Sequence, residues 1–239
     1  MGVIGVGIIG AGWWAGEHAR AVREVSGLRL VAFSSRSAER IAAFQREFGV
    51  AGEADYRRLL ARPDIDVVAI ATPHDTHAGL AVEALAAGKH LLLEKPMARD
   101  RAECAAVAEA AGRSGKLCMV GFTHHFIPAV AATKELVERG EVGAIVSAFC
   151  AHTQVWGWER RPNFYRERAL GGGVWLTLGV HFVDRLLWLI DSEVVAVKAT
   201  IGRRFHRPEE HNADDSATVS LQFASGAAGT IIVAGQRSG

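Results

Sequence analysis

The sequence has little cysteine, almost no net charge and no long apolar run. Its 239 residues include 3 cysteines without Cys-x-x-Cys spacing and carry a formal net charge of +1. Sparse cysteines are typical of a reduced, cytoplasmic protein rather than a disulfide-stapled one. A balanced charge does not favour nucleic acid or an anionic membrane as a partner, and we find no run of 18 or more apolar residues. We therefore expect a cytoplasmic globular protein.

The start of the chain contains a glycine-rich turn between a predicted strand and a predicted helix. The apolar run 3–9 is followed by Gly10 and Gly12 and then by helical spacing. In this order Gly10 allows a tight turn, Gly12 lets a pyrophosphate approach the backbone, and the free amides of the helix start attract its charge. An overlapping set, Gly5, Gly7 and Gly10, lies within the strand. The pattern therefore predicts a dinucleotide site at Gly10 and Gly12.

The residues after the second predicted strand indicate which dinucleotide binds. Strand 28–34 ends about 20 residues beyond the glycine turn, where the adenosine ribose is recognised. An acidic side chain there would select NAD, whereas Ser35 and Arg36 suit the 2′-phosphate of NADP. We predict NADP, with NAD as a possible cofactor. The alternative is that Ser37 caps the next helix and Arg36 lies in solvent.

Strands and helices alternate through the first half of the chain, which predicts a doubly wound parallel sheet. Strands are expected at 65–71 and 90–93, and ligands of such sheets bind beyond the carboxyl ends of the strands. Residues expected at this edge are Thr72, Pro73, His74, His77, Glu94, Lys95 and Pro96. A pair of histidines without a third ligand does not indicate a metal site.

Lys95 is the predicted acid/base. Oxidation of a secondary alcohol sends hydride to the nicotinamide, and a base within hydrogen-bond reach must take the hydroxyl proton. An amine beside the cationic nicotinamide ring has its charged form disfavoured, so its pKa moves toward neutrality. The alternative is that Glu94 and Lys95 form a solvated pair at a strand end.

Several motifs occur together in one order. They are Gly-x-Gly-x-x-Ala with His18, Asp66-Val67-Val68 before Thr72-Pro73-x-x-x-His77, Ala87-Gly88-Lys89-His90, and Glu94-Lys95-Pro96. The sequence resembles the glucose-fructose oxidoreductase, inositol dehydrogenase and MocA family over nearly the whole chain. The resemblance implies a nicotinamide-binding domain, an α+β domain with an open, mostly antiparallel sheet, and activity on sugars or polyols. It also implies that Lys95 is placed as the base.

We place the domain boundary near Gly121. Residues 1–121 are predicted to form the dinucleotide-binding Rossmann domain, and residues 122–239 a substrate-binding and oligomerisation domain of α+β type. His125 stands where the family has an arginine, which puts an inherited salt bridge in doubt. Asp184 is expected to cap or brace the domain rather than to catalyse.

A helix after Gly171-Gly172-Gly173 carries the second predicted catalytic residue. The family pattern there is Asp-x-x-x-His, in which both side chains project from one helix face. This chain has His181 but Thr177 in place of the acid, and a threonine cannot orient a histidine by charge. His181 is predicted to assist catalysis; the alternative is a packed helix residue.

The loop before that helix is rich in aromatic and arginine residues. Trp156, Trp158 and Tyr165 are predicted either to stack on a sugar or to form a small hydrophobic cluster. Tyr165 and Arg166 stand where the family commonly has Trp-Arg. We therefore include both among the predicted substrate contacts.

Three further strands are expected near the end of the sequence, at 194–201, 217–223 and 227–234. The charged segment 203–215 between them is interpreted as solvated or as a subunit edge, rather than as a metal site. A family member would have further strands after Gly239, so either the chain is truncated or another subunit completes the sheet. We expect a homo-oligomer formed through this sheet.

The sequence thus predicts an NAD(P)-dependent oxidoreductase for a sugar or cyclic polyol. Catalytic residues are Lys95 and His181. Cofactor-binding residues are Gly10, Gly12, Trp13, Ser35, Arg36, Thr72, Pro73, His77, Glu94 and Lys95. Substrate contacts are Lys95, Tyr165, Arg166, Thr177 and His181, and no metal is expected. Alternatives are a noncatalytic NADP-binding sensor or partner subunit, or an enzyme that uses transient oxidation for hydrolysis or epimerisation.

Overall fold

Six strands of the N-terminal half form one parallel sheet. The computed structural model describes residues 2–207 and 209–236, and the chain divides into two compact units, Met1–Gly121 and Phe122–Gly239. The strands of the first unit are β1 Ile4–Ile9, β2 Leu28–Ser34, β3 Ala51–Glu53, β4 Val67–Ile70, β5 His90–Leu93 and β6 Cys118–Val120. Their order is β3-β2-β1-β4-β5-β6. The order changes direction between β1 and β4, which is where sheets of this type bind ligands.

Five α-helices flank this sheet: α1 Trp13–Glu24, α2 Ala38–Phe48, α3 Tyr56–Leu60, α4 His77–Ala86 and α5 Arg101–Ser114. The strands are apolar on both faces, so they form two buried clusters, one containing Ile70 and Leu93 and the other Ile8 and Phe33. Both faces of a parallel sheet must be covered by helices, which explains the continuous apolar runs of its strands. The predicted doubly wound α/β fold is confirmed.

The second unit has a mixed sheet of four strands. Its elements are α6 Pro128–Glu138, β7 Ser147–Val155, α7 Val180–Ile190, β8 Val194–Gly202, β9 Ser216–Phe223 and β10 Ala228–Gln236. The strand order is β7-β10-β9-β8. β9 is antiparallel to both neighbours, whereas β10 runs parallel to β7. The sheet is mostly antiparallel, as predicted. The parallel pairing of β10 with β7 was not predicted.

One face of this sheet packs against α7. Phe182 and Leu186 of α7 lie in a buried cluster with Val219, Ile231 and Val233 of the strands. Along β7 exposed and half-buried residues alternate, which is the pattern of a sheet with one covered and one open face.

One strand that was not predicted and one helix end both have local explanations. The short strand β3 was missed because Ala51-Gly52-Glu53 has neither β-branched nor aromatic residues. Helix α5 continues to Ser114 and ends at Gly115, which adopts a left-handed conformation, as glycine readily does at a helix C-terminus.

The segment Arg168–Ile190 is long and apolar enough to cross a membrane by length and composition alone. Its helical turns are interrupted before the π-helix Trp175–Gly179, and α7 at its end packs on the sheet through Phe182 and Leu186. Core helices of non-membrane proteins share these properties, so the segment is weak evidence for a membrane protein.

Candidate active site

The turn after β1 requires glycine at its first position. Gly10 has a φ of +125°, and a Cβ atom there would overlap the carbonyl oxygen of Ala71 and lie 2.9 Å from its carbonyl carbon. Both the backbone conformation and the space therefore exclude a side chain. Gly5 and Gly7 lie inside β1, so the glycine turn begins at Gly10, as we predicted.

Gly12 differs from Gly10 because nothing of the described protein crowds it. It precedes α1 as the N-cap residue without a side-chain cap, and a Cβ atom at Gly12 would meet no atom within 4 Å. The open space lies at a helix start whose first amides lack intrahelical partners. Trp13, the next residue, is exposed. This cradle fits an anionic group such as a pyrophosphate.

The second strand ends beside the predicted 2′-phosphate site. Arg36 is exposed, and Ser37 accepts a 3.3 Å hydrogen bond from the Arg40 amide at the start of α2. The predicted helix cap is therefore present. It is made by the Ser37 side chain and leaves the Arg36 side chain exposed. Sequence reasoning missed Glu53, whose backbone oxygen accepts the Ser35 amide at 3.0 Å.

His77 joins the two loops that follow β4 and β5. Its Nδ1 lies 2.7 Å from the carbonyl oxygen of Pro96, and its Nε2 lies 3.0 Å from that of Thr72. The side chain is completely buried. Burial lowers the pKa of His77, against the pull of both carbonyls and of Glu94. His77 thus fixes the ends of two neighbouring strands.

We expect the thermal stability of the chain to fall as pH drops from 7 to 5. A folded-state pKa below about 6.5 means that the unfolded state binds more protons in this range, so stability rises with pH. His77→Gln removes this titrating group. The slope of the free energy of unfolding against pH should therefore fall by up to about 1.4 kcal/mol per pH unit, which corresponds to one proton. Thermal melts at each pH measure it. Thr76→Val changes a group in the same turn that does not titrate, so it should lower Tm equally at pH 7 and pH 5. If the pH dependence of Tm were the same in His77→Gln as in the unmutated chain, His77 would not be its source.

Glu94 and Lys95 are both buried after β5, so the alternative of a solvated pair is wrong. Only 9% of the surface of Lys95 is exposed. Glu94 Oε1 lies 2.9 Å from Nε2 of His18, which belongs to α1. The carboxylate therefore connects the first helix to the end of β5. His18 was visible in the sequence only as part of a motif, because a contact across 76 residues has no local signal.

In the second unit a histidine and an aspartate replace the expected arginine salt bridge. His125 Nε2 lies 2.7 Å from Asp184 Oδ2, and the imidazole stacks on Trp188 with a centroid distance of 4.0 Å and an angle of 8°. Burial raises the pKa of Asp184, and the neighbouring His125 opposes this shift. Asp184 braces the domain, as its position suggested.

His181 and Thr177 lie in a segment that changes helix type. Trp175–Gly179 is a π-helix and α7 begins at Val180, so the regular α-helical spacing assumed between the two residues is wrong. The Thr177 hydroxyl donates to the Gly173 carbonyl at 2.7 Å. His181 is buried and stacks on His124 at 4.2 Å. The hydroxyl thus donates to a carbonyl just before the π-helix, whereas a carboxylate at this position could only accept.

The aromatic loop is mainly core. Trp156 and Trp158 are buried in the cluster beneath the sheet, so of the two alternatives left open for them the structure supports the hydrophobic cluster. The Arg166 guanidinium donates to the Trp158 carbonyl, with Nη2 at 2.7 Å. Tyr165 is half-buried against the same cluster. The roles of Tyr165 and Arg166 at a substrate stay predictions.

The charged segment 203–215, for which we expected a solvated loop or a subunit edge, is partly buried within the chain. His211, Asp214 and Asp215 are buried. Asp215 accepts hydrogen bonds from the backbone amides of Arg204, Phe205 and His206. Burial lowers the pKa of His211, against its hydrogen bond to the Ala213 carbonyl. The sequence could not show this because charged residues usually remain solvated unless distant partners satisfy them.

Three features together are those of a dinucleotide-binding protein. They are a parallel sheet whose strand order reverses, an obligatory glycine at the first turn, and an open cradle at the start of the next helix. The family model described as "Oxidoreductase family, NAD-binding Rossmann fold" matches residues 4–122, and the GFO/IDH/MocA C-terminal domain matches residues 130–238. The chain belongs to the glucose-fructose oxidoreductase, inositol dehydrogenase and MocA family.

Named dehydrogenases are among its relatives. Levoglucosan dehydrogenase of Pseudarthrobacter phenanthrenivorans is 29% identical over 95% of this chain and 66% of its own length. The scyllo-inositol 2-dehydrogenase (NAD(+)) of Bacillus subtilis is 30% identical over 94% of this chain and 65% of its own length. A solved structure of levoglucosan dehydrogenase with NADH and L-sorbose has a TM-score of 0.90 and 28% identity, covering 99% of this chain and 68% of that one. The chain thus spans about two thirds of these relatives.

Proposed function

We propose that the chain acts in an NAD(P)-dependent oxidoreductase that transfers hydride between the cofactor and a secondary hydroxyl or carbonyl of a sugar or cyclic polyol. The observation that carries this proposal is the pairing of an open glycine cradle after β1 with a buried lysine after β5, at the same edge of one sheet. The bound nicotinamide supplies the hydride chemistry. The names of the relatives support sugars and polyols as the substrate class.

Lys95 is the acid/base in this proposal. When a hydroxyl is oxidised, the amine takes its proton, and when a carbonyl is reduced, the ammonium returns one. His77 keeps the loops that carry Thr72 and Pro96 together, so it acts by positioning. His181 is the proposed second polar group at the reacting oxygen, with Thr177, Tyr165 and Arg166 as substrate contacts.

We further propose that NADP is preferred over NAD, because Arg36 is exposed next to Ser35 at the end of β2. A charge-assisted hydrogen bond contributes about 1.5–3 kcal/mol, so Arg36→Ala should weaken NADP binding about 10- to 100-fold. NAD affinity should change little, since NAD lacks the phosphate. Calorimetric titration with each cofactor measures both values. Arg29→Ala removes an exposed arginine from the same strand and serves as the control. Equal affinity of the unmutated chain for NAD and NADP would refute the preference.

The open face of the second sheet is the proposed interface between copies of the chain. Phe149 of β7 is 65% exposed, and Val155 at the end of the same strand is also exposed. A sheet face with such side chains favours association. Light scattering should therefore give a mass above the monomer value of 25.6 kDa, and Phe149→Glu should shift it toward the monomer. Leu117→Glu changes an exposed apolar residue of the first unit and should leave the mass unchanged. If the unmutated chain were a monomer, the proposal would be wrong.

A noncatalytic cofactor-binding subunit is the second candidate function. Thr177 favours it, because its hydroxyl is bonded to the Gly173 carbonyl at a position where the family has an acid. Tight cofactor binding without turnover of any sugar or polyol in a broad screen would support this alternative over the first proposal. A third outcome would indicate an enzyme that uses transient oxidation. In that case the purified protein would retain its cofactor tightly and convert substrate without net reduction of the cofactor.

A further inference from the structure

Three side chains of the second unit that can bind a metal converge beside Trp158. His206, His211 and Asp215 each offer one ligand atom, and these atoms lie within 4.8 Å of one another. Two ligand atoms of a tetrahedral zinc ion are about 3.3 Å apart, because each lies about 2.0–2.1 Å from the metal. The side chains must therefore approach one another by up to about 1.5 Å to close the set around one ion.

His211 presents a buried ring nitrogen with a free lone pair. The residue is 5% exposed, and its Nδ1 lies 2.9 Å from the carbonyl oxygen of Ala213, so Nδ1 carries the hydrogen. The lone pair of the neutral imidazole is then on Nε2. Within residues 2–207 and 209–236, this buried Nε2 has no hydrogen-bond partner. Metal-binding histidines usually have this arrangement, in which a backbone carbonyl fixes the other nitrogen.

His206 is held between two groups that its Nδ1 cannot both satisfy. The indole Nε1 of Trp158 lies 3.2 Å from Nδ1, and Asp215 Oδ2 lies 3.2 Å from the same atom. An indole N–H only donates, so it needs a lone pair on Nδ1, whereas the carboxylate needs a hydrogen there. With the lone pair present, two acceptors face each other. Nδ1 has a single lone pair, so a cation bound between Nδ1 and the carboxylate removes this repulsion and takes the place of the indole N–H.

The carboxylate has room for one more partner. Asp215 Oδ1 accepts one backbone hydrogen bond, from Arg204 at 2.7 Å, and retains a second lone pair. Asp214, the residue before it, is also buried, but its carboxylate accepts the Trp175 amide at 2.8 Å. The guanidinium of Arg203 donates to the His211 carbonyl at 2.7 Å and opposes a cation. The negative charge of Asp215, which is itself one of the three ligands, offsets this guanidinium.

We propose that His206, His211 and Asp215 bind a divalent transition-metal ion of the zinc class, which fastens the segment 203–215 to the start of β9. Two imidazoles and one carboxylate are typical zinc ligands, and a water molecule would complete a tetrahedral set. Calcium and magnesium prefer oxygen ligands, so this ligand set disfavours them.

The test uses the full chain without a histidine tag, treated with a chelator and returned to chelator-free buffer. Calorimetric titration with zinc sulfate should show one site per chain. His211→Gln should weaken that binding by at least about 100-fold, since even loss of a residue that only hydrogen-bonds a metal ligand can cost about 10- to 100-fold. His90→Gln, which changes a histidine of the first unit, should bind zinc like the unmutated chain. Saturating zinc should raise the Tm of the unmutated chain by about 5 °C, but not that of His211→Gln.

A second measurement does not depend on the folding of a variant. Cobalt(II) added to the unmutated chain should give the visible d–d absorption of a four- or five-coordinate site with nitrogen ligands, and zinc should displace it. Absence of a stoichiometric zinc site, a cobalt spectrum like that of the hydrated ion, or equal zinc binding by His211→Gln in a folded state would each overturn the proposal.

Discussion

Replacing Lys95 with methionine should lower turnover by about 100- to 10,000-fold, the usual contribution of a positioned acid/base. Cofactor affinity should stay nearly unchanged, because the change removes the amine and not the glycine cradle. Methionine is close in length to lysine and apolar, so it suits a residue that is 9% exposed. Lys95→Ala should have the same effect on turnover, with an added stability cost from the lost side-chain volume.

The assay for this prediction starts with a screen of inositols, levoglucosan and related sugars, with NADP and NAD in both reaction directions. Lys116→Met changes a half-buried lysine of the same unit and should retain turnover. Cofactor binding is measured calorimetrically for each variant. Turnover retained in Lys95→Met would refute Lys95 as the base, even if the chain proves to be a dehydrogenase.

The second large effect separates folding from cofactor binding at the glycine turn. Gly10→Ala should lower stability by about 2–5 kcal/mol, because strain at positive φ costs about 1–3 kcal/mol and overlap with the Ala71 carbonyl adds a similar amount. Gly12→Ala should leave Tm nearly unchanged, since its Cβ would meet no described atom within 4 Å. Yet it should weaken cofactor binding at least tenfold, because the methyl group fills the space of the pyrophosphate.

Thermal melts and calorimetric titrations of the two variants form one experiment. Gly112→Ala provides a control, since this glycine near the end of α5 also has open space and is not among the predicted cofactor-binding residues. Unchanged cofactor affinity in Gly12→Ala would contradict the cradle. A Tm of Gly10→Ala equal to that of the unmutated chain would contradict the strained turn.

The polar residues around Lys95 explain how its surroundings stay ordered. Glu94 is held by His18, and Pro96 by His77, so both neighbours of the lysine are tied to a helix. Rigid support of this kind keeps a reacting group within a fraction of an ångström of its working position. Loss of His77 should therefore disturb turnover as well as stability.

The sequence by itself determined the features that depend on neighbouring residues. The apolar run, Gly10 and Gly12 define a strand, a turn and a helix within about 20 residues, and β2 has the predicted bounds Leu28–Ser34. Alternation of apolar strands with helical patterns was sufficient to predict a parallel sheet. The identity of Lys95 as the lysine of a Glu-Lys-Pro motif was equally legible. These signals are local because backbone preferences and side-chain periodicity act over a few residues.

Only the tertiary structure decided which polar and aromatic residues are buried. Trp156 and Trp158 looked suited to a sugar but belong to the core, and His211 and Asp215 looked solvated but are buried. The parallel pairing of β10 with β7 and the contact of His18 with Glu94 likewise join segments far apart in sequence. Burial of a charge or an indole depends on partners brought from a distance to satisfy its hydrogen bonds, and no window of neighbouring residues contains that information.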